Sequence, residues 1–162
     1  MSADTFVSAI LIITAVVAVG ILVNAVYPII WSSASTFSSS AHETDTRMRT
    51  DFKIVNTYAK AGTANAQIFM KNLGTTSLGD EEIQTADVYI VTADELVNPT
   101  YNAGSPSWTY TFKSSDDVRW ENGETLEIDI VMEEPFDAAD TYTFQFVLPN
   151  GVQRSIEFTP SS

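Results

Sequence analysis

Hydrophobic positions follow two different rules along this chain. From Phe6 to Trp31 no side chain is charged and nearly all are apolar, FVSAILIITAVVAVGILVNAVYPIIW. A helix of these 26 residues reaches roughly 39 Å at about 1.5 Å per residue, more than the roughly 30 Å hydrocarbon core of a bilayer. Only a helix satisfies its own backbone polar groups there. The pattern predicts a transmembrane helix within residues 1–31, with Phe6 opening the span and Tyr27 and Trp31 at the far interface, where amphipathic rings settle. Pro28 has no amide proton, so the Asn24 carbonyl loses its helical donor and a kink or break is expected near 24–28. Asn24 itself either bonds locally and eases that kink or reaches a neighbouring helix. Thr14, Ala18 and Ala25 share a face with Ile21, which makes them candidate residues for close helix packing.

A cleaved secretory signal is the competing reading of this block. Such signals open on Lys or Arg and have a shorter apolar core, whereas this chain opens Met1-Ser2-Ala3-Asp4-Thr5. A retained anchor is therefore expected. Residues 32–50, SSASTFSSSAHETDTRMRT, then read in two ways. Composition suggests a flexible Ser-rich linker. The spacing of Ile30, Ala34, Phe37, Ala41 and Met48, with Thr44 filling the gap, instead traces one helical stripe. On that reading the helix continues to about Arg49, Asp45 and Arg49 pair weakly, and Phe37 faces the following domain or another helix. A long N-terminal helix followed by a β domain is a pilin-like architecture.

From Asp51 to Ser162 the period changes to two. Phe52 and Ile54 start a strand; Ala66, Ile68 and Met70 share a face of the next. Val88, Ile90 and Thr92, then Trp108, Tyr110 and Phe112, mark two more. Leu126, Ile128, Ile130 and Met132 alternate with Glu127, Asp129 and Val131, and Tyr142, Phe144, Phe146 and Leu148 repeat the pattern. Pro149-Asn150-Gly151 turns the chain into a last strand with Ile156 and Phe158 inward, and Asn122-Gly123 marks an earlier turn. These make about seven strands with no helical stretch between them, so residues 51–162 are read as all-β, an immunoglobulin-like antiparallel β-sandwich. Residues 93–107, rich in Pro, Gly and Asn, form the longest expected loop. Tyr101 and Trp108, in or beside it, are candidate binding anchors, with core packing the competing role for Trp108.

Charge narrows the function. All 8 Lys and Arg and all but one of the 21 Asp and Glu lie beyond the apolar block, and the net charge is −13. No basic face is available to displace counterions from phosphates, which argues against nucleic-acid binding. Cysteine is absent, which removes disulfides, thiolate metal sites and cysteine nucleophiles. His42 is the one histidine, and no Gly-x-Ser-x-Gly elbow or phosphate-binding glycine loop occurs. The acidic clusters Asp80-Glu81-Glu82, Asp116-Asp117, Glu133-Glu134 and Asp137/Asp140 lack the D-x-[DN]-x-[DN]-G spacing of a calcium loop and read as a solvated surface. No catalytic, cofactor-binding or metal-binding residue is assigned, and no enzyme activity or cofactor is expected. Neither flank of the apolar block carries a nearby excess of Lys and Arg, so charge does not orient it.

Four segments carry a resemblance. T-R-M-R-T-D-F-K-I-V at 46–55, M-K-N-L-G-T-T at 70–76, W-E-N-G-E-T-L-E-I at 120–128 and F-V-L-P-N-G-V at 146–152 follow the unbroken span. In that order they resemble the archaellum accessory proteins of the F and G types, and most the G type. The resemblance covers nearly the whole chain. It implies a pilin-like helix in the cytoplasmic membrane and an immunoglobulin-like domain in the pseudo-periplasm, acting as a stator component. It further implies an F/G-type partner protein, a surface-layer protein as attachment, and self-association. A basic and a small residue ahead of the apolar block, which a pilin peptidase requires, are not found in Met1–Thr5; this favours an uncleaved accessory protein over a filament subunit, the alternative reading. Strand edges and the loops 74–82 and 93–107 are the expected contact surfaces.

Overall fold

The computed structural model describes residues 3–92, 95–113 and 118–162. The acidic pair Asp116-Asp117, residues 93 and 94 of the expected long loop, and Met1-Ser2 lie outside the described residues. The chain forms two compact units, Met1–Thr44 and Asp45–Ser162.

One helix, α1, runs unbroken from Ala3 to Arg49. At 47 of 162 residues it means that the chain as a whole is not all-β. Pro28 lies inside it without interrupting the helix, so the expected local break is absent. The Ser-rich stretch is helical because its hydroxyls turn back on the preceding turn rather than competing with it. Ser35 and Thr36 donate to the Ser32 carbonyl at 2.9 and 2.8 Å, Ser39 to Ser35 at 3.0 Å and Thr44 to Ser40 at 2.8 Å. Phe37 is 76% exposed.

The β unit contains strands β1 (Phe52–Ala59), β2 (Asn65–Asn72), β3 (Leu78–Gly79), β4 (Asp87–Val91), β5 (Leu96–Val97), β6 (Thr100–Tyr101), β7 (Ser107–Phe112), β8 (Arg119–Trp120), β9 (Thr125–Val131), β10 (Tyr142–Val147) and β11 (Gln153–Phe158), with helix α2 (Asp80–Gln84) after β3. They form a five-stranded sheet ordered β1-β2-β9-β7-β6, a four-stranded sheet ordered β11-β10-β4-β5, and the small pair β3-β8. All pairings are antiparallel except β6 with β7. The seven segments with period-2 alternation are the strands of five or more residues. The described residues add four two-residue strands and α2, which are too short for periodicity to reveal. The expected loop at 93–107 contains β5 and β6, and the loop at 74–82 contains β3 and the start of α2.

Alternation places the same residues inward that it predicted. Ile68, Met70, Leu126 and Ile128 of one sheet and Val88, Ile90, Phe144 and Phe146 of the other are fully buried. Phe146 meets Phe52 edge-on at 5.7 Å and Trp108 at 6.1 Å, joining the two sheets across the core. Glu127 breaks the pattern: it points to the outer face yet is only 5% exposed. The Lys113 side chain covers it, forming an ion pair with its carboxylate while lying 5.9 Å from the Phe69 ring. The α2 segment, acidic in its first turn, is held by Ile83 in the core and by the Gly79 amide, which donates to Glu82 at 2.7 Å.

Two predictions follow from this packing. Phe146→Ala leaves a cavity where both sheets meet and is expected to lower unfolding free energy by about 3–5 kcal/mol, while Val131→Ala on the exposed face changes it by less than about 0.5 kcal/mol; denaturant unfolding of the full chain measures both. The Tyr110 hydroxyl donates to Asp80 at 2.7 Å and accepts from Gln84 at 3.2 Å. Burial, with the Asp80 carboxylate adding to it, holds its ionisation well above the ordinary tyrosine range. The folded state therefore keeps a proton that the unfolded chain releases near pH 10, so this contribution to stability is complete below that pH and is lost as pH rises through the higher folded value. Tyr110→Phe is expected to flatten the alkaline decline in stability, which unfolding curves across that range read directly.

Candidate functional site: the seat of the helix terminus

The last turn of α1, Asp45–Arg49, belongs to the β unit. A helix end exposes carbonyls with no intrahelical donor, and burying them demands partners from elsewhere. Here the donors to the last carbonyl come from the segment 72–76, and the segment 146–152 engages the same turn through Asn150. The Thr75 and Thr76 amides both donate to the Arg49 carbonyl, at 2.9 and 3.2 Å. Thr50, 6% exposed, closes the turn by donating its hydroxyl and amide to the Thr46 carbonyl, at 2.8 and 3.0 Å. The Arg47 guanidinium donates to the Asn150 carbonyl at 2.5 Å, and the Asn150 amide group donates to the Thr50 hydroxyl at 3.0 Å. Arg47 and Arg49 also place positive charge on the negative end of the helix dipole.

Asn72 organises the other side. It is 1% exposed, and its side-chain amide donates to the carbonyls of Trp120 at 2.8 Å and Thr76 at 3.0 Å. Its side-chain oxygen accepts from the Gly74 amide at 2.9 Å. The Asn122 side chain reaches the Gly74 carbonyl at 2.6 Å, and the Leu73 and Gly74 amides donate to the Asp51 carbonyl at 2.9 and 2.8 Å. Asp51 in turn pairs with Arg154 at 2.6 Å, whose guanidinium lies 5.8 Å from the Phe52 ring. Gly74 is where the two backbones come closest. A β-carbon there would stand 2.4 Å from the Arg49 carbonyl oxygen and 2.5 Å from the Asp51 nitrogen, so no side chain fits.

The four segments that carried the resemblance, 46–55, 70–76, 120–128 and 146–152, thus converge on this seat. Sequence reasoning took Asn122 and Asn150 only as turn residues and gave Asn72 no role of its own. The spacing Asn-x-Gly at 72–74 and Asn-x-Val at 150–152 was the available signal, since an Asn side chain that caps its own turn at i+2 leaves its amide free to reach another segment. The expected site residues lie elsewhere. Phe6, Thr14, Ala18, Asn24, Ala25, Pro28, Trp31 and Phe37 lie along α1 and are exposed, with the Thr14 hydroxyl bonded to the Ile10 carbonyl at 2.9 Å. Trp31 meets Tyr27 edge-on at 6.4 Å, one turn apart. Tyr101 is half-buried and its ring lies 5.0 Å from that of Trp108. Trp108 is 1% exposed and packs in the core, which corrects its reading as a surface anchor. Among the described residues no group of three or more Asp, Glu or His is arranged to hold a metal ion.

An apolar helix whose final turn is built into a β unit defines a pilin-like class of assembly protein. The profile of the archaeal-type flagellin family matches residues 5–158, and the chain belongs to that family. It is similar to the archaellum periplasmic stator protein FlaG from Sulfolobus acidocaldarius, at 27% identity and TM-score 0.58, covering 67% of this chain and 99% of that one. A structure of the periplasmic stator complex of FlaF and FlaG from the same organism matches at 27% identity and TM-score 0.57, over 66% of this chain and 87% of that one. The archaeal flagellum of Methanospirillum hungatei strain JF1 matches over 96% of this chain and 93% of its own at TM-score 0.63, but at 11% identity it shares the fold alone. No curated protein sequence matches. Family and neighbours are structural proteins of the archaellum, and the chain is an archaellum component.

The seat makes a sharp prediction. Gly74→Ala is expected to destabilise the β unit by about 2–3 kcal/mol, because the added methyl meets two backbones rather than a movable side chain. Gly104→Ala, with no atom within 4 Å, is the neutral control. Asn72→Ala should cost a similar amount, about 2–3 kcal/mol, by leaving two buried carbonyls without donors. Thermal unfolding of the three variants separates these outcomes.

Proposed function

We propose that this chain is a membrane-anchored stator protein of the archaellum, linking the motility machinery to the cell envelope. On this reading residues 6–31 of α1 cross the cytoplasmic membrane once, and the β unit is an immunoglobulin-like sandwich held on the outer side. An F/G-type protein and the surface-layer protein are its partners, and it associates with itself. The observation that carries the proposal is the 27% identity to a periplasmic stator protein over 99% of that protein's length. The helix adds independent support: an 18-residue window of mean hydropathy 2.9 with none of its residues buried requires lipid or other helices around it. Thr14, Ala18, Asn24 and Ala25 are the residues through which α1 would meet a neighbouring helix, and half-buried Tyr101 is the proposed contact on the β unit.

A second reading is a filament subunit, favoured by the family and by a fold that follows the archaeal flagellum over 96% of this chain. Cell fractionation distinguishes the two. A stator protein sediments with membranes, resists salt and carbonate, and is released by detergent. Recovery as the repeating subunit of sheared filaments would establish the second reading instead, and a freely soluble monomer would sink both.

A further inference from the structure

β11 forms an edge of the four-stranded sheet, and among the described residues it pairs along its length with β10 alone. Its free length is fixed at both ends. Arg154 pairs with Asp51 at 2.6 Å. Beyond the buried Pro160 the chain crosses to the end of β1, where the Ser161 amide donates to the Ala59 carbonyl and the Ser161 carbonyl accepts from the Ala61 amide, both at 2.9 Å. Register fixes which backbone groups face outward between these ends. The Leu148 amide donates to the Val152 carbonyl at 2.9 Å, and Phe146–Arg154, Phe144–Ile156 and Tyr142–Phe158 continue that register two residues at a time. Hydrogen-bonded and open pairs alternate along an antiparallel ladder, so Gln153, Ser155 and Glu157 turn their N–H and C=O groups to the free edge. All three residues are exposed. Ile156, between them, points to the core yet is only half-buried, which leaves apolar surface open beside those groups.

A free strand edge accepts another strand, and the side chains of β11 select which one. The chain carries a net charge of −13, so most surfaces of two copies repel each other. β11 holds one Arg and one Glu, and its Arg is already paired within the chain. Antiparallel pairing of β11 with its own copy, centred on Ser155, sets Ser155 opposite Ser155 and Gln153 opposite Glu157. It keeps the inward side chains of both copies on the core side. All three outward-facing residues of each strand then find backbone partners, whereas a shift of two residues leaves one of them unpaired. The Gln153 side-chain oxygen accepts from Gln145 at 2.8 Å, which leaves the Gln153 side-chain amide to donate to the Glu157 carboxylate of the second copy. The two Glu157 residues stand four positions apart, about 14 Å, beyond the roughly 8 Å screening length at physiological salt. The geometry points to β11 as the strand through which two copies of this chain pair, antiparallel and centred on Ser155, joining their four-stranded sheets into one. This inference rests on the reading that the chain associates with itself, and it names the surface.

The chain has no cysteine, so an introduced one reports its own contacts alone. The test uses the full chain in detergent with a mild oxidant. Ser155→Cys is expected to form a disulfide-linked dimer about tenfold faster than Thr109→Cys, an exposed position on the other sheet, because directly opposed residues of a hydrogen-bonded pair stand about 5.5 Å apart, within disulfide reach. Chains carrying Gln153→Cys and Glu157→Cys, tagged differently, should link to each other when mixed and hardly at all when oxidised separately. Ser155→Pro removes the central amide donor at a position where an edge strand tolerates proline, and should lower the dimer fraction measured by light scattering. Equal rates for Ser155→Cys and Thr109→Cys would overturn the proposal, as would a disulfide between two copies of Gln153→Cys, the mark of a parallel pair. Dimers of the unsubstituted chain without a Ser155→Cys cross-link would remove the β11 contact and leave self-association standing. A monomer at every concentration would remove both.

Discussion

The structure turns on how a helix end is satisfied inside a β unit. A helix that stops against protein rather than in water must find donors for its last carbonyls, and the Arg49 carbonyl finds two in the Thr75 and Thr76 amides. That approach is possible only because position 74 is glycine, whose missing β-carbon lets two backbones come within contact distance. Asn72 then fixes the geometry with one buried side chain that closes its own 72–76 turn and ties it to Trp120. A covalently continuous helix could have been joined to the β unit by a loose tether. Instead its terminal turn is a structural member of that unit.

The sheets continue the same logic. Asp51 and Phe52 leave the seat directly into β1, and the Phe52 ring touches both Trp120, under the seat, and Phe146 of the opposite sheet. The anchorage of the helix and the core between the sheets therefore share a side chain. Three of the four edges of the two larger sheets are guarded, and β11 is the open one. β1 has a bulge between Ile54 and Asn56, and β5 and β6 are two residues long, features that discourage indiscriminate strand addition.

Much of this was legible in the residues and some was not. The β positions were readable because period-2 alternation reflects one face against a core: Ile68, Leu126, Ile128 and Phe144 are buried as their spacing required. The burial of Glu127 was not legible because it depends on Lys113, fourteen residues away and just past the end of β7. The Ser-rich segment looked like a linker by composition, yet each hydroxyl has a carbonyl three or four residues back, a local option that composition does not encode. Trp108 drew attention as a loop aromatic, and its position opposite Ile130 puts it in the core.

By itself the sequence determined the apolar helix, the strand-rich remainder, the inward faces and the archaellum kinship, because each depends on residues close along the chain or on their order. Only the tertiary structure decided that the four kinship segments meet at one place and that three asparagines and a glycine there receive the helix terminus. Those are relations between positions up to about a hundred residues apart, and no local period records which distant backbone a glycine must let in.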